Sequence, residues 1–235
     1  MVSNIKKIMA LNNRIIPRLI FDLGFHNGDT SYYYLNQGHT VIGIECNPSM
    51  IDQSTKKYRK YILCKTLRLV NKCISLEDNK KETFYISTCP VWSSLNKNIA
   101  ERNDKSTPIE VSTTTLAKLI AEYGCPYYCK IDIEGADILA LQSLESIQDR
   151  PKYISCEVEC LGKNEITTDF PILHQLYKLG YTKFMIIDQR KNGNFKLDFD
   201  SNYDWINYED MLQKLYEIKK DKWEYGIWCD IYATF

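Results

Sequence analysis

The stretch FDLGFHNGDTSYYYLNQGHTVIGIE, Phe21 to Glu45, decides how the rest of the chain reads. Leu19 to Leu23 is a short apolar run with one carboxylate, Asp22, and it breaks into Gly24-Phe25-His26-Asn27-Gly28, too rich in glycine and polar groups to continue a strand. Without a Cβ, Gly24 and Gly28 let the backbone take left-handed angles and lie against a ligand. Asp29 or Thr30 is placed to cap a helix through Tyr34 and Leu35, which Gly38 ends. Val41 to Ile44 reads as a second buried strand. It closes on Glu45, about twenty residues beyond the glycine turn, where a nucleotide fold places the acid for ribose hydroxyls.

The loop pattern is Asp-x-Gly-x-x-x-Gly rather than the G-x-G-x-x-G of a dinucleotide site. Such a loop suits a cofactor with a ribose and a small zwitterion but no phosphate, and S-adenosylmethionine fits that description. DLGFHNGDTSYYYLNQGHTVIGIECNP, residues 22 to 48, resembles the opening motif of FkbM-type methyltransferases, a branch of the class I S-adenosylmethionine-dependent fold. A second motif, Lys130-Ile131-Asp132-Ile133-Glu134-Gly135, alternates polar with apolar, and strand geometry puts its three charged groups on one side. Unpaired charges there are costly, so they are paired or used. KIDIEGAD resembles the family's K-I-D-x-E-G-x-E hallmark, with Asp137 in place of the final glutamate.

Three weaker likenesses follow the same family. Asn71-Lys72-Cys73-Ile74-Ser75 resembles an N-x-A-(I/V)-S segment near the adenine side, with Cys73 in place of alanine. Ser93-Ser94-Leu95 resembles an S-S-L turn near the cofactor's amino-acid end, although an ordinary capped turn reads the same way. The ending Trp228 to Ala233 resembles W-x-D-I-H-A, with Tyr232 where histidine is common.

The fold expectation is α/β: a Rossmann-like, doubly wound sheet of seven strands, mostly parallel, which the resemblance implies has an antiparallel last strand. Residues 1 to 18 read as an arm or short helix ended near Pro17, and 19 to 235 as one methyltransferase domain. Leu67 to Ile74 is expected as the third strand, Thr83 to Ser87 as part of a hairpin-like insertion, and Asn98 to Thr107 as a polar loop able to serve as a lid.

At 235 residues with 44% hydrophobic and 26% charged side chains, the composition is that of a folded domain with a sizeable core. Thirty basic and thirty acidic groups give a formal net charge of +0, which disfavours nucleic acid as a partner. Neither Cys125/Cys129 nor Cys156/Cys160 has C-x-x-C spacing, and the nine cysteines read as reduced, buried apolar residues. No stretch reads as a leader or membrane span, so the expected location is cytoplasmic.

The site reading places Glu45 at the ribose hydroxyls, and Asp22 either ordering the glycine turn or meeting the cofactor's ammonium group. The amides of Gly28, Asp29 and Thr30 suit its carboxylate. Gly24, His26, Asn71 and Ser94 complete the cofactor set, His26 shaping the turn or acting as a base. Asp132 and Glu157, at strand ends expected to face one crevice, are the catalytic pair, and they are also the ligands of any divalent cation such as magnesium. The leading function is O-methylation of a sugar or other small-molecule hydroxyl. A nucleotide-dependent oxidoreductase and an inactive cofactor-binding domain are the alternatives.

Overall fold

The computed structural model describes residues 15–102, 104–158, 170–192, 195–222 and 229–235. The chain divides into two compact units, Met1–Lys152 and Tyr153–Phe235.

In the first unit, strand β1 (Ile15–Leu23), helix α1 (Asp29–Asn36), β2 (Thr40–Glu45), helices α2 (Pro48–Lys57) and α3 (Arg59–Leu63) and β3 (Leu67–Asn71) follow in order. A short β4 (Cys73–Ile74), β5 (Lys81–Ser87), helix α4 (Lys97–Ala100), β6 (Ser106–Thr114), α5 (Leu116–Tyr123), β7 (Cys125–Ile131) and α6 (Asp137–Ser143) complete it. Four strands pair in parallel in the order β3-β2-β1-β7. Covered on both faces, they read as continuous apolar runs: Ile20, Phe21, Leu23, Val41 and Ile44 are all buried.

β1 opens at Ile15, so residues 15–18 of the expected arm belong to a strand, while residues 1–14 lie outside the described residues. Pro17 sits where the register against β7 shifts, between Ile16 and Ile20, and the missing proline N–H is tolerated at such an irregularity. The expected third strand is split. Asn71 ends β3, and Cys73–Ile74 joins a second sheet of order β4-β6-β5, in which β5 and β6 form the expected hairpin-like pair. Cys73, Phe84 and Val111 form its core. The segment expected as a loop from Asn98 to Thr107 contains most of α4 and the start of β6.

The second unit holds β8 (Tyr153–Val158), α7 (Pro171–Lys178), β9 (Lys183–Asp188), the one-turn α8 (Gln189–Asn192), α9 (Tyr208–Lys222) and β10 (Cys229–Thr234). Its strands run β8-β10-β9, and β10 is antiparallel to both neighbours. Ile154, Leu173, Leu176, Phe184 and Ile231 are fully buried. The seven principal strands thus give the expected α/β class: mostly parallel, with the last strand antiparallel.

Cys46 and Cys73 are joined by a disulfide, which corrects the expectation that all cysteines are reduced. The two are 27 residues apart, and only the pairing of β2 with β3 brings their Cα atoms to 4.6 Å. Among the described residues, Cys64, Cys89, Cys125 and Cys129 are free thiols. Burial pushes Cys125 up to about 12 and Cys129 well above the ordinary thiol range, which keeps both inert.

Candidate functional site

The strand ends of the first unit carry most of the expected site. Glu45, only 9% exposed, ends β2. Its Oε2 accepts the His26 amide at 2.8 Å and its Oε1 the Asn47 amide at 2.8 Å. Burial pushes this carboxyl above its usual range, while the Asn47 and His26 amides pull it back. His26 therefore reaches Glu45 through its backbone, in a left-handed conformation (φ +49) uncommon outside glycine.

The two loop glycines serve different neighbours. A Cβ on Gly24 (φ +83) would sit 1.9 Å from the carbonyl oxygen of Asp132, so the turn after β1 lies against the end of β7. A Cβ on Gly28 (φ +75) would strike the rings of Phe25 and Tyr58, which meet edge to face. Gly28's missing side chain thus makes room for the protein's own aromatic support. Gly28 also occupies the cap position expected of Asp29 or Thr30. The Gly28 amide donates to the Phe25 carbonyl and the Asp29 amide to Asn27 Oδ1, so two of the three amides expected at the cofactor carboxylate are engaged within the loop. Thr30 follows in the first turn of α1, half-buried.

Asp22 is 1% exposed and sits one residue before the end of β1. Its Oδ2 accepts from Ser31 Oγ at 2.7 Å, fixing α1 to the strand. Its Oδ1 receives no hydrogen bond and faces the Lys130 ammonium at 3.5 Å. The same ammonium lies 3.1 Å from Asp132 Oδ2, so Lys130 stands between two carboxylates. Strand β7 ends at Ile131, and Asp132 continues past it with its amide donating to the Leu23 carbonyl. The Asp132 side chain is 37% exposed.

Glu134 and Gly135 have left-handed backbones (φ +52 and +88), which turn the chain sharply after Asp132. Ser94, 1% exposed, secures this turn: its Oγ donates to the Glu134 carbonyl at 2.6 Å and accepts the Asn96 amide at 2.9 Å. Arg102 holds the Glu134 carboxylate at 2.7 Å and stacks on Trp92, its guanidinium carbon 4.6 Å from the ring centre. Burial pushes Glu134 up to about 7, against the pull of Arg102 and with the push of Asp132. Asp137, the expected substitute for the hallmark's last glutamate, accepts the Ile133 amide at 3.3 Å.

Asn71 ends β3 and donates through Nδ2 to the carbonyls of Glu45 (2.9 Å) and Cys46 (3.0 Å), holding the backbone that presents Glu45. In the second unit, half-buried Glu157 lies near the end of β8 opposite Asp230, whose Oδ1 accepts from Gln189 Nε2 at 2.9 Å. Sequence reading passed over Ser31, Phe25, Tyr58 and Arg102. Phe25 alone carried a local signal, as the one apolar residue inside a polar turn.

Among the described residues no helix is long and apolar enough to cross a membrane. No curated protein matches the chain in sequence. Similar solved structures include precorrin-6y C5,15-methyltransferase from Geobacter metallireducens, with 9% identity, 99% of this chain and 89% of that one covered, and a TM-score of 0.42. A geranyl diphosphate C-methyltransferase from Streptomyces coelicolor, solved with Mg2+, geranyl diphosphate and S-adenosyl-L-homocysteine, has 9% identity, coverage of 99% and 79%, and a TM-score of 0.46. An S-adenosylmethionine-dependent methyltransferase from Geobacter sulfurreducens, in complex with S-adenosyl-L-homocysteine, has 10% identity, coverage of 100% and 91%, and a TM-score of 0.44. The family model of the methyltransferase FkbM domain matches residues 22–183, most of the chain and both of its principal motifs. The chain belongs to the FkbM family of S-adenosylmethionine-dependent methyltransferases.

Proposed function

We propose that this protein moves the methyl group of S-adenosylmethionine to a hydroxyl of a sugar, glycan or other small molecule. Glu45 carries the cofactor part of the reading. It is a buried carboxylate at the end of a parallel strand, and each oxygen, anchored by one amide, keeps acceptor capacity for a ribose hydroxyl. Asp22 Oδ1 is the second support, a buried acceptor that receives no hydrogen bond and has only the Lys130 ammonium 3.5 Å away, so it is suited to a further ammonium group. The residues present fit the cofactor. Glu45 and the His26 amide form the ribose side, Asn71 the adenine side, Asp22 and Gly24 the ammonium side, with Ser94 beyond, and Thr30 the carboxylate side, the Gly28 and Asp29 amides being engaged within the loop.

When bound, the cofactor supplies a methyl group on a sulfonium, a leaving group that needs no protonation. The protein is left to align the acceptor and take its proton. Asp132 is the proposed base, partly exposed and charge-compensated by Lys130. Glu157 is the second catalytic candidate, and the two carboxylates are the proposed ligands of a divalent cation such as magnesium, which would acidify the acceptor hydroxyl. Residues 19–235 are read as one methyltransferase domain, since the family match runs past Lys152. A small-molecule acceptor, no nucleic-acid partner and a cytoplasmic location complete the proposal, supported by the balanced charge and the free thiols of Cys64, Cys89, Cys125 and Cys129.

The test is calorimetric titration with S-adenosylhomocysteine, with and without magnesium, of the wild type and Glu45→Ala. Saturable binding lost in the variant supports the cofactor assignment, and no binding by folded wild type overturns it. Labelled-methyl transfer to a panel of sugars and alcohols then tests the acceptor class. Asp132→Asn or Glu157→Gln that transfers at the wild-type rate removes that residue from catalysis.

A further inference from the structure

We infer that the Cys46–Cys73 disulfide is a positioning cross-link for the cofactor, acting through Glu45, and that its reduction weakens cofactor binding. The inference rests on the S-adenosylmethionine reading above. Cys46 directly follows Glu45 at the end of β2, and Cys73 opens β4 in the second sheet of the same unit. The bond therefore ties the strand that presents the ribose acid to a different sheet. Asn71 grips the same backbone from β3 through the Glu45 and Cys46 carbonyls. Glu45 is thus fixed on three sides: its carboxylate by the His26 and Asn47 amides, its carbonyl by Asn71, and its neighbour by a covalent bond.

The surroundings explain why loss of the bond would reach Glu45. Cys73 is buried with Phe84 and Val111, and Cys46, Ile86, Leu95 and Ile109 pack against that cluster. Two thiols cannot approach as closely as bonded sulfurs and must spread by about 1 Å or more. A close-packed cluster gives little room for that spread. Of the two bonded cysteines Cys46 is the one only partly buried, at the cluster's edge, so the displacement falls on the residue next to Glu45. Cys73 also stands where the N-x-A segment it resembles has alanine, so the cross-link is a feature of this chain rather than of that motif.

The reduction is a two-electron exchange with a dithiol. One thiolate of the dithiol attacks a cystine sulfur, and its second thiol resolves the mixed disulfide. The dithiol leaves as a cyclic disulfide, and its two protons end on the Cys46 and Cys73 thiols.

S-adenosylhomocysteine is titrated into protein purified without reductant, into dithiothreitol-treated protein, and into a Cys46→Ser/Cys73→Ala variant. Alkylation with intact-mass analysis fixes each redox state, and circular dichroism verifies the fold. Affinity is expected to fall about tenfold or more in the reduced protein and the variant, or about 1.4 kcal/mol. In a Glu45→Gln background the same reduction is expected to change affinity less than about twofold, because the residue it acts through is gone. Equal affinity in both redox states overturns the inference and leaves the cofactor reading standing. Free thiols at both positions in unreduced protein also overturn it. Loss of native circular dichroism in both the reduced protein and the variant overturns it too, because the bond then serves stability alone. Binding in neither state overturns the inference together with the cofactor reading.

Discussion

Glu45 is buried and holds two backbone amides, so its protonation and its ligand are linked. A ribose diol donates to the carboxylate and loses one such acceptor when the acid form is present. With the Glu45 carboxyl pushed above its usual range by burial, S-adenosylhomocysteine affinity should fall as pH drops through that raised value and level off above it. Titrations over a series of pH values, carried down until affinity falls, check this. Glu45→Gln should begin about tenfold to a hundredfold weaker, as for a lost charged hydrogen bond, and show no such decline. A variant with the wild-type slope would move the effect to another group. Gly24→Ala is expected to cost about 2–4 kcal/mol in urea unfolding, because φ is +83 and the new Cβ would meet the Asp132 backbone, which cannot rotate away. A cost below about 1 kcal/mol would mean that the turn can move off β7.

The segment from Trp92 to Arg102 ties one element to another through contacts of unequal weight. Ser94 is buried and serves both the Glu134 carbonyl and the Asn96 amide, so Ser94→Ala should cost about 1–3 kcal/mol and speed amide hydrogen exchange at residues 133–136. Arg102 is 35% exposed and solvent screens its pair with Glu134, so Arg102→Ala should cost less, about 1 kcal/mol or under. Exchange rates that rank the two variants the other way would show the ion pair, not the hydroxyl, to hold the turn. The elements legible in the sequence were those buried on both faces. β1, β2 and β7 are apolar runs between glycine and proline punctuation, and the Gly24 to Glu45 spacing located the carboxylate at the β2 end. The start of β6, Ser106 and Thr107, reads as loop in the sequence because Ser106 to Glu110 is largely exposed and contains Pro108, a residue usually confined to strand edges. The Arg102–Glu134 pair, the Asn71 bridge and the Cys46–Cys73 bond join residues 25 to 32 apart, and no local pattern encodes such partners. Ser94 was picked out from its motif, but its hydroxyl's partner, the Glu134 carbonyl, needed the fold to be seen.

For the molecule as a whole, a ligand that binds only the native state stabilises it by mass action. S-adenosylhomocysteine at a hundred times its Kd should contribute about 2.7 kcal/mol, which for a chain of this size raises Tm by roughly 5–10 °C. At that same concentration a tenfold weaker Glu45→Gln complex gains about half as much, so the two melting shifts give the affinity ratio independently of calorimetry. The charge balance adds a second expectation. With thirty basic and thirty acidic side chains the protein has no net field, and S-adenosylhomocysteine is itself a zwitterion without net charge near neutral pH. The two carboxylates assigned to it, Glu45 and Asp22, are buried, and salt screens buried charges far less than exposed ones. The melting shift should therefore survive a change from about 0.05 M to 0.5 M salt with little loss, and the protein should pass through a heparin column without retention at about 0.1 M. Retention there, or a ligand shift that collapses with salt, would reveal a concentrated basic surface and reopen a polyanionic acceptor.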